Sequence, residues 1–125
     1  PGGSMSPFIR DGDILLISPL GGTKPALGQV LAYRQPVPGS LVVHRLVGRR
    51  GAGWLLRGDS YSSPECDTVP PEDLLGLVAS IERRGDGHRF GLGPERILIA
   101  LLSRSNLLVP LIQLLRQIKW LGRKP

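Results

Sequence analysis

Three residue types that together perform nucleophilic chemistry recur along the first seventy residues. They are serines in a proline-interrupted opening segment, a histidine inside an aliphatic run, and carboxylates beyond it. The opening segment, Gly3-Ser4-Met5-Ser6-Pro7-Phe8-Ile9-Arg10-Asp11-Gly12-Asp13, runs straight into Ile14-Leu15-Leu16-Ile17. Pro7 supplies no backbone donor and pushes Ser6 towards extended geometry, so the segment makes a poor helix and a poor strand. By composition it is a Ser/Gly/Pro loop, one that can hold the hydroxyl of Ser4 or Ser6 in a fixed, exposed place.

Such a hydroxyl is a weak nucleophile until a base takes its proton. His44 sits in the middle of Val42-Val43-His44-Arg45-Leu46-Val47, whereas His88 lies in the Gly-rich turn Asp86-Gly87-His88 and reads as an exposed surface residue. A lone strand histidine is most often structural, but an imidazole titrates near neutrality without help. A lysine base would have to lose its charge by burial. Lys24 lies in a Gly/Pro loop, and Lys119 and Lys124 lie in the tail, so none has an aliphatic strand to desolvate it. A third group usually holds the imidazole in the right tautomer, and several carboxylates follow His44. Cys66 is the single cysteine, so no intrachain disulfide forms and the compartment is not constrained. A Cys66–His44 thiol site has no supporting motif around it.

The elements that must position these residues are short. Residues 13–18, 28–34, 40–47, 54–57 and 74–81 read as strands, the first of them apolar enough to be buried on both faces. Residues 19–25, 35–39, 49–53 and 83–87 read as loops or turns by their Gly and Pro content, and residues 60–73 as a polar loop. Strands this short, at this spacing, predict a small antiparallel sheet curled into a partly closed barrel. The character changes at Pro94. Two apolar runs, 97–102 and 107–112, flank Ser103-Arg104-Ser105-Asn106, and Asn106 is placed to cap a second helix with Pro110 near its first turn. In that helix Gln113, Arg116, Gln117 and Trp120 share one face, and Leu111, Leu114, Leu115, Ile118 and Leu121 the other. The chain thus divides into a β-rich domain, residues 1–93, and an apolar, basic, helical tail, residues 94–125.

At 125 residues the chain suits one domain with a modest core. Its formal charge of +6 is unevenly placed. Residues 1–93 hold ten Lys/Arg against nine Asp/Glu, and residues 94–125 hold six against one. A basic, leucine-rich amphipathic tail suits an anionic membrane surface, although it could also simply pack on the sheet or on a second copy. No nucleic-acid partner is expected, because no helix-turn-helix, zinc-finger or RNA-binding signature is present. No run reaches the ~18 apolar residues that a membrane span needs.

Ser4-Met5-Ser6-Pro7, followed by Gly12-Asp13 and an aliphatic strand, resembles the nucleophile segment of the signal peptidase I family, in the serine peptidase clan that also holds the LexA-type self-cleaving repressors. Val42-Val43-His44-Arg45-Leu46-Val47 is similar to the Val-His-Arg-Val segment of its eukaryotic and archaeal, Ser-His branch. Leu56-Arg57-Gly58-Asp59-Ser60 resembles the family's Lys-Gly-Asp-Asn box, and Leu74-Leu75-Gly76-Leu77-Val78 its Asp-Val-Val-Gly-Arg strand. The resemblance covers about residues 3–81 and not the tail. It implies a coiled, partly closed antiparallel sheet of the signal peptidase/LexA type. Ser4 is then the nucleophile, with Met5 packed beneath it and Ser6 the variable residue before Pro7. His44 is the general base.

The family has a second aspartate six or seven residues after the first. With one small insertion Glu65 or Asp67 takes that place; Asp67 is the expected His44 partner and Asp59 a loop-organising aspartate near the site. The Ser4 backbone N–H is the expected oxyanion donor, since Gly2 stands where many members have a serine. The implied activity is cleavage of an extended peptide in a precursor protein, without metal or organic cofactor. Localisation is expected to be membrane-associated, with the family's anchor outside this chain. A LexA-like specialised processing peptidase is the alternative within the clan. A non-catalytic membrane-associated interaction domain is the alternative outside it.

Overall fold

A computed structural model of the chain describes residues 5, 7–35, 39–60 and 66–121, without the side chains of 120 and 121. It is mainly β. Seven strands form one antiparallel sheet: β1 (Ile14–Ser18), β2 (Val30–Arg34), β3 (Leu41–Arg50), β4 (Gly53–Arg57), β5 (Asp67–Val69), β6 (Leu74–Arg83) and β7 (Asp86–His88). Helices α1 (Glu95–Arg104) and α2 (Leu108–Leu121) follow. The strand order is β1-β6-β2-β3-β4-β5, and β7 folds back on β6. β6 pairs β1 along one edge and shares its other edge between β2 and β7. The sheet is open: among the described residues β1 and β5, at its two ends, do not pair.

β1 is not buried on both faces as its apolar run predicts. It is an end strand, and Ile14, Leu16 and Ile17 are exposed. An unbroken apolar run fixes the strand but not what covers it. The segment read as a loop over 60–73 contains β5 and a single 3-10 turn, Pro71–Asp73. His88 is half-buried, because the turn at Arg84-Gly85 continues into β7 and sets His88 opposite Ile81. Asn106 does not cap α2. It sits in the left-handed region (φ 60°) just past α1, where the Leu107 N–H bonds the Leu102 carbonyl and its own N–H the Ser103 carbonyl. That is a Schellman closure, which favours Gly or Asn at this position.

Alternation along β3 sends His44 and Arg45 to opposite faces. Leu31, Tyr33, Leu46, Leu56 and Val69 form one apolar cluster; Met5, Ile9, Val30, Val78, Ile81 and Leu92 form another. A third cluster, Phe8, Ile99 and Leu108, fastens the helices to the opening segment. Arg45 is fully buried, and a guanidinium cannot stay in an apolar core unless its donors are satisfied. Its Nε and Nη2 donate to the two Asp59 oxygens at 2.8 and 2.7 Å, and Nη1 donates to the carbonyls of Gly28 and Gly91 at 2.9 and 2.6 Å. Both glycines have left-handed backbone, φ +87° and +86°. A Cβ on Gly28 would meet the Arg96 backbone at 2.5 Å, and one on Gly91 the Phe8 ring at 2.7 Å.

Removing one partner of a buried pair strands the other charge and costs about 3–5 kcal/mol. Asp59→Asn therefore lowers the unfolding free energy by about that much in urea denaturation, whereas Asp86→Asn, at the exposed start of β7, stays within ~0.5 kcal/mol. Equal effects of the two would show that the fold does not depend on the Arg45–Asp59 pair.

Candidate active site

The register places the polar groups of one sheet face. Leu31 stands opposite His44, so Tyr33, two residues on, is its diagonal neighbour on the same face. Leu46 pairs Leu56, and Leu56 pairs Asp67, which carries the same face across to β5. The Tyr33 hydroxyl lies 2.9 Å from His44 Nδ1 and 2.5 Å from Asp67 Oδ2. His44 Nδ1 and Asp67 Oδ2 are 3.9 Å apart, within ion-pair range but too long for a direct hydrogen bond. Gln35 Nε2 approaches the same carboxylate oxygen at 3.5 Å. The His44 side chain is 6% exposed and that of Asp67 is 43% exposed. Burial holds the His44 imidazole below its ordinary value of 6.5, and the nearby Asp67 carboxylate offsets part of that.

His44 borders an open cavity of about 380 Å³. Met5, Ile9, Leu15 and Val43 give it apolar walls, and Arg10, Asp11, Asp13 and Gln35 add polar groups. Met5 itself is buried in the core. The opening segment is fixed from two sides. Arg83 donates to both Asp13 oxygens at 2.8 and 2.7 Å and to the Phe8 carbonyl at 3.3 Å. The hydrogen bonds from Arg83 hold the Asp13 carboxyl down to about 2. From the other side, the Arg45 guanidinium lies over the Phe8 ring, 5.3 Å from its centroid.

The residues picked from the sequence separate cleanly. His44 and Asp67 come together through Tyr33. Asp59 is bonded to Arg45, and burial pushes its carboxyl up while Arg45 opposes the shift. Lys24 is exposed and lines a different depression, with Leu20, Trp54 and Leu74. Cys66 directly precedes β5 and is not among the residues lining the His44 cavity. Ser4, Ser6, Gly2, Glu65 and Lys124 lie outside the described residues. Sequence reading does not single out Tyr33 and Gln35; their signal is the alternation Tyr33-Arg34-Gln35 at the end of the strand beside the histidine strand. The described residues contain no group of His, Cys, Asp or Glu arranged to hold a metal ion. No family model, curated protein or solved structure matches the chain.

The folded chain binds fewer protons at His44 than the unfolded chain does below pH ~6.5. The stability held by the neutral ring is therefore complete above that pH and declines as pH falls. A ¹H–¹⁵N titration places the His44 midpoint below 6.5, and Asp67→Asn moves it lower still, because it removes the carboxylate that favours the cation. A midpoint at or above 6.5, or an upward move in Asp67→Asn, would contradict this geometry.

Proposed function

We propose that this chain is a serine endopeptidase of the signal peptidase type, in its Ser-His branch, and that its open antiparallel sheet is of the signal peptidase/LexA kind. Ser4 supplies the nucleophile, His44 the general base, and Asp67 the carboxylate that supports His44; Asp59 organises the fold behind them. The observation that carries the reading is the buried imidazole at the wall of a cavity that Met5, bonded to Ser4, also lines, with Asp67 reached through one hydroxyl. In the first half of the reaction His44 takes the Ser4 proton as its oxygen attacks the scissile carbonyl. It then returns that proton to the leaving amine. The substrate is an extended peptide of a precursor protein, and no cofactor takes part.

Cleavage of a precursor peptide with Ala at −1 and −3 tests this. Ser4→Ala abolishes turnover, Ser6→Ala and His88→Ala retain most of it, and His44→Ala loses on the order of 100- to 10,000-fold. The acid limb of the pH–rate profile has its midpoint below 6.5, since burial keeps His44 neutral further into acid. Activity that survives His44→Ala but is lost in Lys24→Ala would move the chain to a Ser-Lys mechanism. Self-cleavage or cleavage of one partner alone would favour the LexA-like alternative. A protein that hydrolyses nothing would favour the interaction domain.

The same reading includes contact with an anionic membrane surface. Leu98, Leu101, Leu114, Leu115 and Ile118 on the two helices, and Leu107 between them, are exposed, alongside exposed Arg104, Arg116 and Lys119. Beyond Ile112, residues 113–119 of α2 are exposed on every side, and an isolated helix that short is marginal in water. A second copy would bring an equally basic tail against this one, whereas anionic lipid matches both its apolar face and its charge. No single helix among the described residues is long and apolar enough to cross a membrane. Leu114→Gln with Ile118→Gln should leave thermal unfolding unchanged and sharply reduce co-sedimentation with phosphatidylglycerol vesicles. Undiminished vesicle binding would remove the tail from the interface.

A further inference from the structure

We propose that Tyr33 is the positioning residue of this site: its hydroxyl fixes the His44 ring as the Nδ1–H tautomer and relays to it a carboxylate, Asp67, that makes no direct hydrogen bond with the ring. The catalytic consequence rests on the peptidase reading above; the tautomer assignment does not. The argument is one of donors and acceptors. An ionised carboxylate only accepts hydrogen bonds. The Tyr33 hydroxyl has a single proton, and at 2.5 Å from Asp67 Oδ2 that proton goes to the carboxylate. The phenol oxygen can then meet His44 Nδ1 at 2.9 Å only as an acceptor. Nδ1 therefore carries the ring proton, and Nε2 becomes the ring's accepting nitrogen, the atom a general base needs.

The phenol is built to hold that place. Tyr33 is 1% exposed and packs among Leu31, Leu46, Leu56 and Val69, so its ring is set by the core and not by the relay. The ring stands tilted to the imidazole, with centroids 5.9 Å apart. Antiparallel pairing of Leu31 with His44 fixes the diagonal approach, and Asp67 is anchored at the start of β5 by its pairing with Leu56. At 3.9 Å Asp67 does not hydrogen-bond the ring directly, so its hydrogen-bonded path to Nδ1 runs through the phenol.

Two measurements on the full chain test the assignment. The first is the long-range ¹H–¹⁵N spectrum of His44 above its titration midpoint. The wild type should show a protonated Nδ1 and an unprotonated Nε2, and Tyr33→Phe, which keeps the packed ring and loses the hydroxyl, should shift population to Nε2–H. The second is a double-mutant cycle in peptide cleavage. Tyr33→Phe should lower kcat on the order of 100-fold with KM nearly unchanged. Asp67→Ala should cost a similar factor in the wild type and little more in the Tyr33→Phe background, because the two act in series.

A wild-type ring protonated on Nε2 would overturn the proposal. So would fully additive losses, which mean that Asp67 acts on His44 without Tyr33. So would a Tyr33→Phe protein that loses activity and urea resistance together with its tautomer unchanged, which assigns Tyr33 to packing alone. If the wild type cleaves no peptide while His44 shows the expected tautomer, the peptidase reading fails and the Tyr33 assignment stands.

Discussion

The Arg45 guanidinium joins four parts of the chain. Asp59 follows β4, Gly28 precedes β2, Gly91 precedes α1, and Phe8 belongs to the opening segment. With its donors spent on a bidentate carboxylate and two carbonyls, the charge can sit inside the core at no exposure. A buried pair of this kind adds little net stability over an apolar replacement, but it tolerates no missing partner. Its use here is positional. Arg45 follows His44 directly and points to the other face, so whatever fixes Arg45 also fixes the strand that presents the histidine. Arg83 completes the arrangement from β6 by holding Asp13 and the Phe8 carbonyl, which pins the residues after Ser4-Met5 to the same sheet.

Local chemistry was legible where it is written in neighbouring residues. The hairpin at Gly51-Ala52, the helical turn of the chain after Pro94 and the place of His44 inside a strand follow from Gly, Pro and aliphatic spacing. Facts that depend on what lies across the sheet were not legible. The burial of β1 could not be read from Ile14-Leu15-Leu16-Ile17, because a run of that kind fits a covered strand and an uncovered end strand equally. β5 escaped because three residues in a polar loop carry no period; Asp67-Thr68-Val69 is a strand only because β4 offers it an edge.

Tyr33 was hidden for the same reason. In sequence it is one more strand aromatic, and its meaning comes from a register, Leu31 opposite His44, that no local pattern specifies. Arg45 did carry a signal. Placed between Leu46 and His44 with Val43 and Val47 on its own face, it could not be buried without a carboxylate, and Asp59 lies beyond the return strand. In the fold that carboxylate is Asp59, while Asp67 stands with Tyr33 on the face of His44.

The two aspartates show two ways of bringing a carboxylate to bear on a core. Asp59 goes in whole, at 1% exposure, and a guanidinium must go in with it. Asp67 stays at the rim with its side chain 43% exposed, so part of its hydration is retained and no buried cation is required. The imidazole it serves is inside, and a neutral phenol spans the difference. Burying a hydroxyl that makes its hydrogen bonds costs far less than burying an ionised carboxylate. A direct Asp67–His44 contact would draw the charge inwards and raise the affinity of the ring for a proton. A base of that kind would be charged over more of the acid range. With Tyr33 between them, burial dominates, the ring stays neutral to lower pH, and the carboxylate still decides which nitrogen holds the proton.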